Sequence, residues 1–359
     1  MQLLIDATSL LLRSAGVKNY TYRWLEHVRA AARNETIRAF PFLDQTGPLT
    51  HERSTLSPWQ TYPRIAALHM ANYGAVDWLT RGADIFHMSN QVRRVPRKPK
   101  ITATVHDLTC WLMPELHTAG NIQADRNFAE RVLKRADGLI AVSENTRQDA
   151  IRLLGIDPAR IEVIYSGVSE VFFDAKPAPA ARPYALFVGA IEPRKNLSVL
   201  LDAWQASRLW QDFDLKIAGP AGWSSEGTLA RLTARPAGVE YLGYVGEDEL
   251  PGLTAGAAVF VYPSLYEGFG FPVAQAMAAG VPVITSNVSC LPEVAGEGAL
   301  FVDPRSCEEL SAALKTMLTS ATLREQYGRA GRQRAERYRW ETCARQSLAF
   351  FHKVLQSTG

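Results

Sequence analysis

The sequence predicts two doubly wound α/β domains joined in series. Short apolar runs alternate with helical patterns in both halves of the chain, which is typical of parallel sheets covered by helices on both faces. An Ala- and Pro-rich stretch without periodicity, residues 174–183, separates the two series. The length of 359 residues is also long for one hydrophobic core and comfortable for two.

The predicted strands of the first half begin at the N-terminus, and a helical pattern, VKNYTYRWLEHVRAAAR, follows the first of them. In chain order the strands are LLIDA, ADIFHM, KITATVHD, DGLIAVS and RIEVIYSG. Those of the second half are YALFVGA, DLKIAGP, VEYLGYV, AVFVYPS, VPVITSN and ALFVDP. Asn196 precedes an apolar stripe at helical spacing, so it is predicted to cap a helix start. Residues 305–359 are almost wholly helical in pattern.

These patterns place the domain boundaries. We assign residues 1–172 to the first domain, 173–183 to a linker, 184–335 to the second domain and 336–359 to a C-terminal helix. Ligands of open α/β sheets bind outside the carboxyl ends of the strands. With two such domains, the expected site is the cleft between them.

Composition excludes several classes of protein. The net charge is +3, with +4 in residues 1–170 and −1 in the remainder, which is far from a nucleic-acid-binding signature. The four cysteines are scattered without a Cys-x-x-Cys pair, which argues against a disulfide framework and a zinc cluster. No signal peptide is apparent, and no apolar run approaches the ~20 residues that span a bilayer. We therefore expect a cytosolic protein, with peripheral contact to the inner membrane face as an option.

The most unusual stretch is YEGFGFPVAQAMAAG, residues 266–280. It follows a predicted strand and combines an acid, Glu267, with two glycines and a helix of small residues that begins near Pro272. A helix start offers free N–H groups and partial positive charge to a phosphate or a hydroxyl, and glycines allow close approach to the backbone. The alternative interpretation is a tight turn whose glycines serve geometry and whose Glu267 is solvated.

Three further stretches place polar groups at strand ends. In VGAIEPRKN, Arg194 and Lys195 precede a helix and suit a diphosphate, unless they form a solvated helix-entry pair. In ATVHDL, His106 ends a strand and could bind a hydroxyl, unless it is structural. In LRSAGVKNY, Gly16 with Lys18 beside it follows the first strand and could accept an anion near the backbone.

Together these stretches resemble a known family. The chain is similar almost end to end to retaining glycosyltransferases of the large GT4 group, which have a GT-B fold of two Rossmann-like domains facing a cleft. The similarity is densest over residues 184–304, and EPRKN resembles mannosyl- and rhamnosyltransferase-like members that build bacterial polysaccharides. It implies an acceptor-binding first domain, a donor-binding second domain and a C-terminal helix that crosses back to the first.

The resemblance also implies roles for the residues of the second half. Arg194 and Lys195 would hold the donor diphosphate and stabilise it as it leaves. Glu267 would face the donor sugar and phosphates together with the backbone amides of the next four residues, Gly268, Phe269, Gly270 and Phe271. Tyr244 would lie where the family often encloses the nucleotide base.

In the first half, the resemblance brings Gly16 close to the diphosphate and His106 to the donor sugar near the reaction centre. Catalysis would then rest on Glu267, His106, Arg194 and Lys195. We expect no metal and assign no covalent nucleophile, because the family usually replaces a metal with the Arg/Lys pair. The Asp-x-Asp at 212–214 is better explained as a helix-to-strand loop.

One departure from the family pattern concerns the nucleotide. A second acid usually follows the first after seven residues and binds the donor ribose, and here that position is Gln275. An amide can accept and donate a hydrogen bond, but it lacks the charge-assisted bond of a carboxylate. Donor affinity and nucleotide identity are therefore open, and these residues do not distinguish GDP-mannose from a UDP-hexose.

A basic run is a candidate for contact with an acceptor or a membrane. RRVPRKPK lies between two predicted strands and contains five cations, Arg93, Arg94, Arg97, Lys98 and Lys100. These suit an anionic lipid carrier or membrane surface, or form a solvated loop.

The sequence thus predicts a hexosyltransferase acting on a nucleoside-diphosphate sugar and a saccharide or lipid-linked saccharide. Two alternatives stay open: a binding protein that has lost activity, suggested by Gln275, and a nucleotide-sugar epimerase of the same architecture. A nicotinamide dehydrogenase is disfavoured because no Gly-x-Gly-x-x-Gly follows a first strand.

Overall fold

The structure, a computed structural model, describes residues 1–13, 16–50 and 53–357. It divides into two compact units. Unit 1 comprises Met1–Gly167 and Trp340–Gly359, and unit 2 comprises Val168–Arg339. Each unit has its own sheet and core, which confirms the predicted pair of α/β domains.

Within the described residues, unit 1 contains a parallel six-stranded sheet. Its strands are β1 (Gln2–Asp6), β2 (Thr36–Phe40), β3 (Ile85–Met88), β4 (Lys100–Val105), β5 (Gly138–Ala141) and β6 (Ile161–Val163). They lie in the order β2-β1-β3-β4-β5-β6. The helices are α1 (Gly16–Ala31), α2 (Pro58–Met70), α3 (Val76–Leu79), α4 (Thr109–Leu112), α5 (Ala119–Arg131), α6 (Glu144–Leu154) and the C-terminal α15 (Trp340–Gln356).

Unit 2 repeats this architecture with a different strand order. The strands are β7 (Tyr184–Val188), β8 (Asp214–Ala218), β9 (Val239–Gly243), β10 (Val259–Tyr262), β11 (Val283–Ser286) and β12 (Ala299–Val302). They are parallel and lie in the order β12-β11-β10-β7-β8-β9. The helices are α7 (Glu170–Phe173), α8 (Leu197–Ser207), α9 (Glu226–Thr233), α10 (Leu250–Ala255), α11 (Phe271–Ala278), α12 (Leu291–Ala295), α13 (Cys307–Thr319) and α14 (Ala321–Ala335).

Strand β2 was missing from the predicted elements. Its sequence, TIRAF, is short and carries Arg38 at its centre, so it lacks the continuous apolar run of the strands inside the sheet. It pairs with β1 only, and only its last two residues are fully buried. An edge strand with one half-exposed face is weakly marked in a sequence for this reason.

The predicted linker, 173–183, is wrong, because the chain divides between residues 167 and 168. The Ala- and Pro-rich segment instead packs on unit 2: the backbone N–H of Ala178 donates to the carbonyl of Gly252 at 3.0 Å. The two glycines of α10 and its end, Gly252 and Gly256, leave room for this close approach. A segment without periodicity can thus be ordered by a neighbouring helix, which its composition does not show.

The C-terminal helix packs on unit 1, as the resemblance implied, but it begins at Trp340 rather than at residue 336. Trp24 of α1 donates its indole N–H to Ser347 of α15 at 2.9 Å. Gly138 of β5 lies against Phe350 and Val354, and a Cβ added there would meet Val354 at 2.6 Å. The helix therefore completes the core of unit 1.

Candidate functional site

The strand order of unit 2 places a topological switch point between β7 and β10. The chain leaves β7 toward β8 and β9 on one side, and it leaves β10 toward β11 and β12 on the other. The loops after the two strands diverge there and leave a crevice, which is where ligands of such sheets bind. These loops contain EPRKN and YEGFG, so the sheet brings together two motifs that are about 70 residues apart in the chain.

The two motifs meet in a buried ion cluster. Lys195 Nζ lies 2.6 Å from Glu267 Oε1, and Arg194 NH1 lies 3.0 Å from Glu267 Oε2. Glu267 is 6% exposed and Lys195 is 9% exposed. The carboxylate therefore holds both cations in place at the strand ends, in a region where water screens their charges only weakly.

Four residues without a predicted role complete this cluster. Tyr262 accepts a hydrogen bond from Lys195 Nζ at 2.6 Å and donates one to Glu267 Oε1 at 3.0 Å. Ser264 donates to the same oxygen at 2.7 Å, and Glu192 pairs with Arg194 NH2 at 2.9 Å. Ser289 accepts from the backbone N–H of Glu267 at 3.1 Å. Glu192 is in the EPRKN motif and Tyr262 ends β10, so their positions in the sequence were the signal that could have identified them as site residues.

The cluster sets the charge state of its members. Burial opposes ionisation of Glu267, but Arg194 and Lys195 outweigh it and lower the pKa of this carboxyl to about 2. Burial, with the neighbouring charge of Arg194, lowers the pKa of Lys195. Burial and the Glu267 charge raise the pKa of Tyr262, which keeps its hydroxyl protonated as a donor.

The depressed pKa of Glu267 predicts a pH-dependent stability. A carboxyl with a folded pKa of about 2 and an ordinary value of 4.5 contributes about 3 kcal/mol at neutral pH. This contribution is complete above the ordinary value and is lost as the pH falls toward the folded one. The difference in unfolding free energy between the native chain and Glu267→Gln, measured by urea denaturation, should shrink by about 2 kcal/mol between pH 7 and pH 3. A difference independent of pH would contradict the assigned ionisation.

The helix start after Glu267 is formed by a glycine in the left-handed region. Gly270 precedes α11 with φ 81°, and a Cβ there would meet Leu291 Cδ2 at 2.8 Å. Phe269 is 3% exposed and packs edge-on against Tyr338 with ring centroids 5.4 Å apart. Its side chain therefore belongs to the core, and Phe269 can offer a ligand only its backbone. Pro272 is the second helical residue rather than the first.

The other predicted residues of unit 2 lie around this crevice or at a strand end. Gln275 is half-buried one turn into α11. Tyr244 directly follows β9 and is 41% exposed, so its ring is accessible. Asn196 has the predicted position before α8, but its amide does not cap the helix. It donates instead to the carbonyls of Pro263 at 3.0 Å and Pro304 at 2.6 Å, and so ties the loops after β7 and β10 together.

Unit 1 has its own switch point, between β1 and β3, and a cavity of about 330 Å³ opens there. His106 lines it, together with polar and aromatic side chains that include Asp6, Ser89, Asp107, Trp111 and Asp125. Asp6 ends β1 and Ser89 follows β3, so the carboxyl ends of adjacent strands supply these groups. The sequence contained the signal for Asp6, an acid at a strand end.

The cavity's polar groups are organised by hydrogen bonds. Asp6 Oδ1 accepts from the backbone of Thr8 at 3.0 Å, and Asp6 Oδ2 accepts from the backbone of Ser89 at 3.2 Å. Burial lowers the pKa of His106 to about 4, although the charge of Asp107 acts to raise it, so the imidazole is neutral near pH 7. Its ring lies edge-on to Tyr20, with centroids 4.8 Å apart. A neutral, held imidazole can both donate to and accept from a hydroxyl group.

Of the two residues predicted to lie near an anion, Gly16 is accessible to a ligand and Lys18 is not. Gly16 is the exposed first residue of α1, and a Cβ there would meet nothing within 4 Å among the described residues, which leaves space for a ligand. The adjoining residues 14 and 15 lie outside the described range. Lys18 is fully buried, and its ammonium donates to the carbonyl of Leu12 at 2.7 Å and to that of Arg53. The assignment of Lys18 to an anion is therefore corrected: its charge is used to hold a loop.

The basic run also needs one correction. Lys100 is the first residue of β4, and its ammonium donates to the carbonyls of Val354 and Ser357 at the end of α15. It therefore does not belong with the four exposed cations of this run. In the described part of the chain, no helix has the length and apolar character to cross a bilayer, and no three His, Cys, Asp or Glu side chains are grouped as metal ligands.

Comparison with known proteins establishes the family. Residues 15–171 match the model described as glycosyltransferase family 4, and residues 168–334 match that of glycosyl transferases group 1. O-antigen chain mannosyltransferase B from Escherichia coli is 32% identical over 301 residues, which cover 80% of this chain and 77% of that protein. The chain belongs to glycosyltransferase family 4.

Two further comparisons describe this glycosyltransferase. It is 31% identical to MMP alpha-(1->4)-mannosyltransferase from Mycolicibacterium hassiacum over 63% of this chain and 56% of that protein. Sucrose-phosphate synthase from Thermosynechococcus elongatus has the same fold, with a TM-score of 0.76, 19% identity and 99% coverage of both chains. This likeness confirms the predicted GT-B class.

Proposed function

We propose that this glycosyltransferase moves a mannose-like hexose, with retention, from a nucleoside-diphosphate sugar to a saccharide or lipid-linked saccharide in cell-surface polysaccharide biosynthesis. The observation that carries the proposal is the buried Arg194–Lys195–Glu267 cluster at the switch point of unit 2. The similarity to an O-antigen chain mannosyltransferase supports the sugar and the pathway class.

Unit 2 is proposed to bind the donor. As the bond between sugar and diphosphate breaks, negative charge accumulates on the leaving oxygens. Cations and helix-start N–H groups that are already in place stabilise that charge without reorganising. Arg194 and Lys195 supply the cations, and the backbone from Gly268 to Phe271 supplies the N–H groups. The proposal assigns no metal to this step.

Glu267 is proposed to have two roles. Its Oε1 accepts hydrogen bonds from Lys195, Tyr262 and Ser264, so this oxygen positions the cluster. Its Oε2 faces Arg194, and this is the oxygen that we assign to a hydroxyl of the donor sugar. The carboxylate lies beside two cations that are proposed to bind a diphosphate because it holds those cations in position.

Unit 1 is proposed to bind the acceptor in its cavity. Asp6, Asp107 and Asp125 line it, and among the described lining residues the Lys or Arg cation is Arg13. Carboxylates disfavour an anionic group and accept hydrogen bonds from hydroxyls, and Trp111 adds an apolar ring surface. We therefore assign a neutral sugar unit of the acceptor to this cavity and a hydrogen bond with a sugar hydroxyl to His106.

Donor binding and turnover test this proposal. Thermal shift with GDP, UDP, ADP and dTDP should show one preferred nucleotide, because a ligand that binds only the folded state raises the melting temperature. The matching nucleotide sugars should then release nucleoside diphosphate slowly, and retention should be visible by NMR of the transferred sugar. Binding without release or transfer would support the inactive binding protein, and a 2-epimer without transfer would support the epimerase.

Gln275→Glu tests the ribose assignment. If this residue meets the donor ribose, a carboxylate should strengthen the hydrogen bond and tighten nucleoside diphosphate binding by up to about tenfold. Isothermal titration of the native and variant proteins measures this, with Gln275→Ala as the variant expected to weaken binding. Unchanged affinity in both variants would remove Gln275 from the donor site.

Cytoplasmic location and contact of the basic run with an anionic membrane remain parts of the proposal. The four exposed cations of the run, Arg93, Arg94, Arg97 and Lys98, are the ones that we assign to this contact.

A further inference from the structure

The most exposed aromatic side chains of unit 1 are concentrated on one segment, α2 and the residues up to the end of α3. Trp59 is 87% exposed, Tyr62 is 70%, Tyr73 is 83% and Trp78 is 66%. Met70, in the same segment, is 50% exposed. Side chains of this size and hydrophobicity are usually covered, so their concentration on one segment needs an explanation.

Their spacing puts most of them on one face of the helix. Trp59, Tyr62, Ala66 and Met70 of α2 recur at intervals of three and four residues, which is the period of a single helical face, and Tyr73 lies in the π-helical turn Ala71–Ala75 that follows. Ala67 and Ala71, which lie off this face, are buried, and Ala71 belongs to the core of unit 1. A surface helix ordinarily presents polar residues to water, whereas this one has small apolar residues inside and aromatic residues outside.

The basic run is attached to the same segment. The backbone N–H of Arg93 donates to Asn72 Oδ1 at 2.7 Å, and the guanidinium of Arg94 donates to the Asn72 carbonyl at 3.1 Å. The backbone N–H of Arg97 donates to Asp77 Oδ1 at 2.7 Å. These bonds hold the basic run beside Tyr73 and Trp78, at the end of the segment, so the two features adjoin. We call the two together the aromatic–basic face; it consists of residues 59–78 and 93–98.

We propose that the aromatic–basic face binds the surface of an anionic phospholipid bilayer. Tryptophan and tyrosine prefer the region between headgroups and acyl chains, where the ring is in an apolar environment and the polar atom stays hydrated. A helix with an apolar outer face and adjacent Arg and Lys residues matches this interface in hydrophobicity and in charge. The inference does not depend on the identity of the donor or the acceptor. It adds to the proposed contact of the basic run with a membrane that the aromatic side chains insert into the bilayer interface.

The charges favour a bilayer over a protein partner of the same shape. Arg93, Arg94 and Lys98 are exposed, and their guanidinium and ammonium groups make no ion pair with a carboxylate among the described residues. Asp77 partly offsets Arg97, at 4.0 Å. An exposed cationic loop next to large aromatic rings suits a fluid array of anionic headgroups, which requires no fixed partner geometry.

Flotation with vesicles tests the proposal. The full-length chain should bind vesicles of phosphatidylcholine and phosphatidylglycerol, and bind pure phosphatidylcholine much more weakly. Trp59→Ser with Tyr73→Ser should lower binding to the anionic vesicles by about tenfold or more. Arg93→Gln with Arg94→Gln and Lys98→Gln should lower it similarly and reduce its dependence on salt.

A matched control comes from unit 2. Val171 is 48% exposed and Arg329 has a 75% exposed side chain, so Val171→Ser with Arg329→Gln removes one exposed apolar side chain and one exposed cation elsewhere on the chain. This variant should bind vesicles as the native chain does. Thermal melting checks that each variant is folded, and all of them should bind the preferred nucleoside diphosphate normally.

Several outcomes would overturn the proposal. One is that the native chain does not bind anionic vesicles, and another is that both face variants bind them as strongly as the native chain. A third is that the chain does not bind vesicles but self-associates in ultracentrifugation, and that Trp59→Ser abolishes this self-association. The last result would identify the face as a contact between copies. Quenching of tryptophan fluorescence by brominated lipid gives an independent readout, because quenching should decline in Trp59→Phe with Trp78→Phe.

Discussion

Glu267→Ala is expected to remove transfer activity and to destabilise unit 2. The substitution removes the carboxylate shared by Arg194 and Lys195, whose side chains are 12% and 11% exposed, and leaves these two cations with Glu192, which pairs with Arg194. Breaking a buried pair in this way typically costs about 3–5 kcal/mol. Transfer should fall by about a hundredfold or more, on the order of 2.7 kcal/mol in the barrier, because the cations lose their positions. Urea denaturation and the initial rate of nucleoside diphosphate release measure the two effects.

Two further variants serve as comparisons for Glu267→Ala. Glu267→Gln keeps the size of the side chain and an acceptor oxygen, so it should be more stable than the alanine variant while remaining poorly active. Glu325 has a 68% exposed side chain and pairs with Arg329 at the surface, so Glu325→Ala controls for the loss of any carboxylate. A Glu267→Ala protein with native stability and native rates would refute the site assignment.

Lys195→Ala is expected to lower transfer by at least about tenfold, on the order of 1.4 kcal/mol in the barrier. If its ammonium binds the diphosphate, the loss has a chemical signature: affinity should fall most for a nucleoside diphosphate, less for the monophosphate and hardly at all for the nucleoside. A structural role alone would weaken all three equally. Titration calorimetry across the three ligands separates these possibilities.

Lys216 provides a closely matched control. It lies on β8 in the same unit, 3.4 Å from Glu240, with its ammonium 4.7 Å from the ring centroid of Tyr184. Lys195 likewise pairs with a glutamate and lies near a tyrosine ring, at 5.2 Å from Tyr262. Lys216→Ala should retain transfer and diphosphate affinity. Equal losses in the two variants would show that removing a paired lysine from unit 2 is enough to explain the effect.

Much of the site in unit 2 was predictable, because its parts are local in sequence. The strands of this unit are buried apolar runs with clear ends, so the residues that follow them were identifiable as candidates. Arg194, Lys195 and Glu267 all lie in the segments that connect such runs to the next helix. Tyr262 was harder to find, because a tyrosine at the end of a strand is equally consistent with the core.

Other parts could not be predicted, because they depend on contacts that are distant in the sequence. A lysine beside a glycine suggested an anion site, yet Lys18 is held by a carbonyl 35 residues away. Proline and alanine suggested a linker, yet that segment is ordered by α10. The exposed stripe of α2 has the period of an amphipathic helix, and only the fold shows that its aromatic side faces outward.

The sequence by itself determined the order of most elements, the existence of two α/β domains and the motifs at the strand ends, since these follow from local periodicity and residue type. The tertiary structure decided which strands are neighbours. It thereby decided that the loops after β7 and β10 meet at a switch point, where Lys195 and Glu267 form one buried cluster. The physical reason is that burial and charge pairing arise only when the sheet brings distant segments within a few ångströms and removes the water between them.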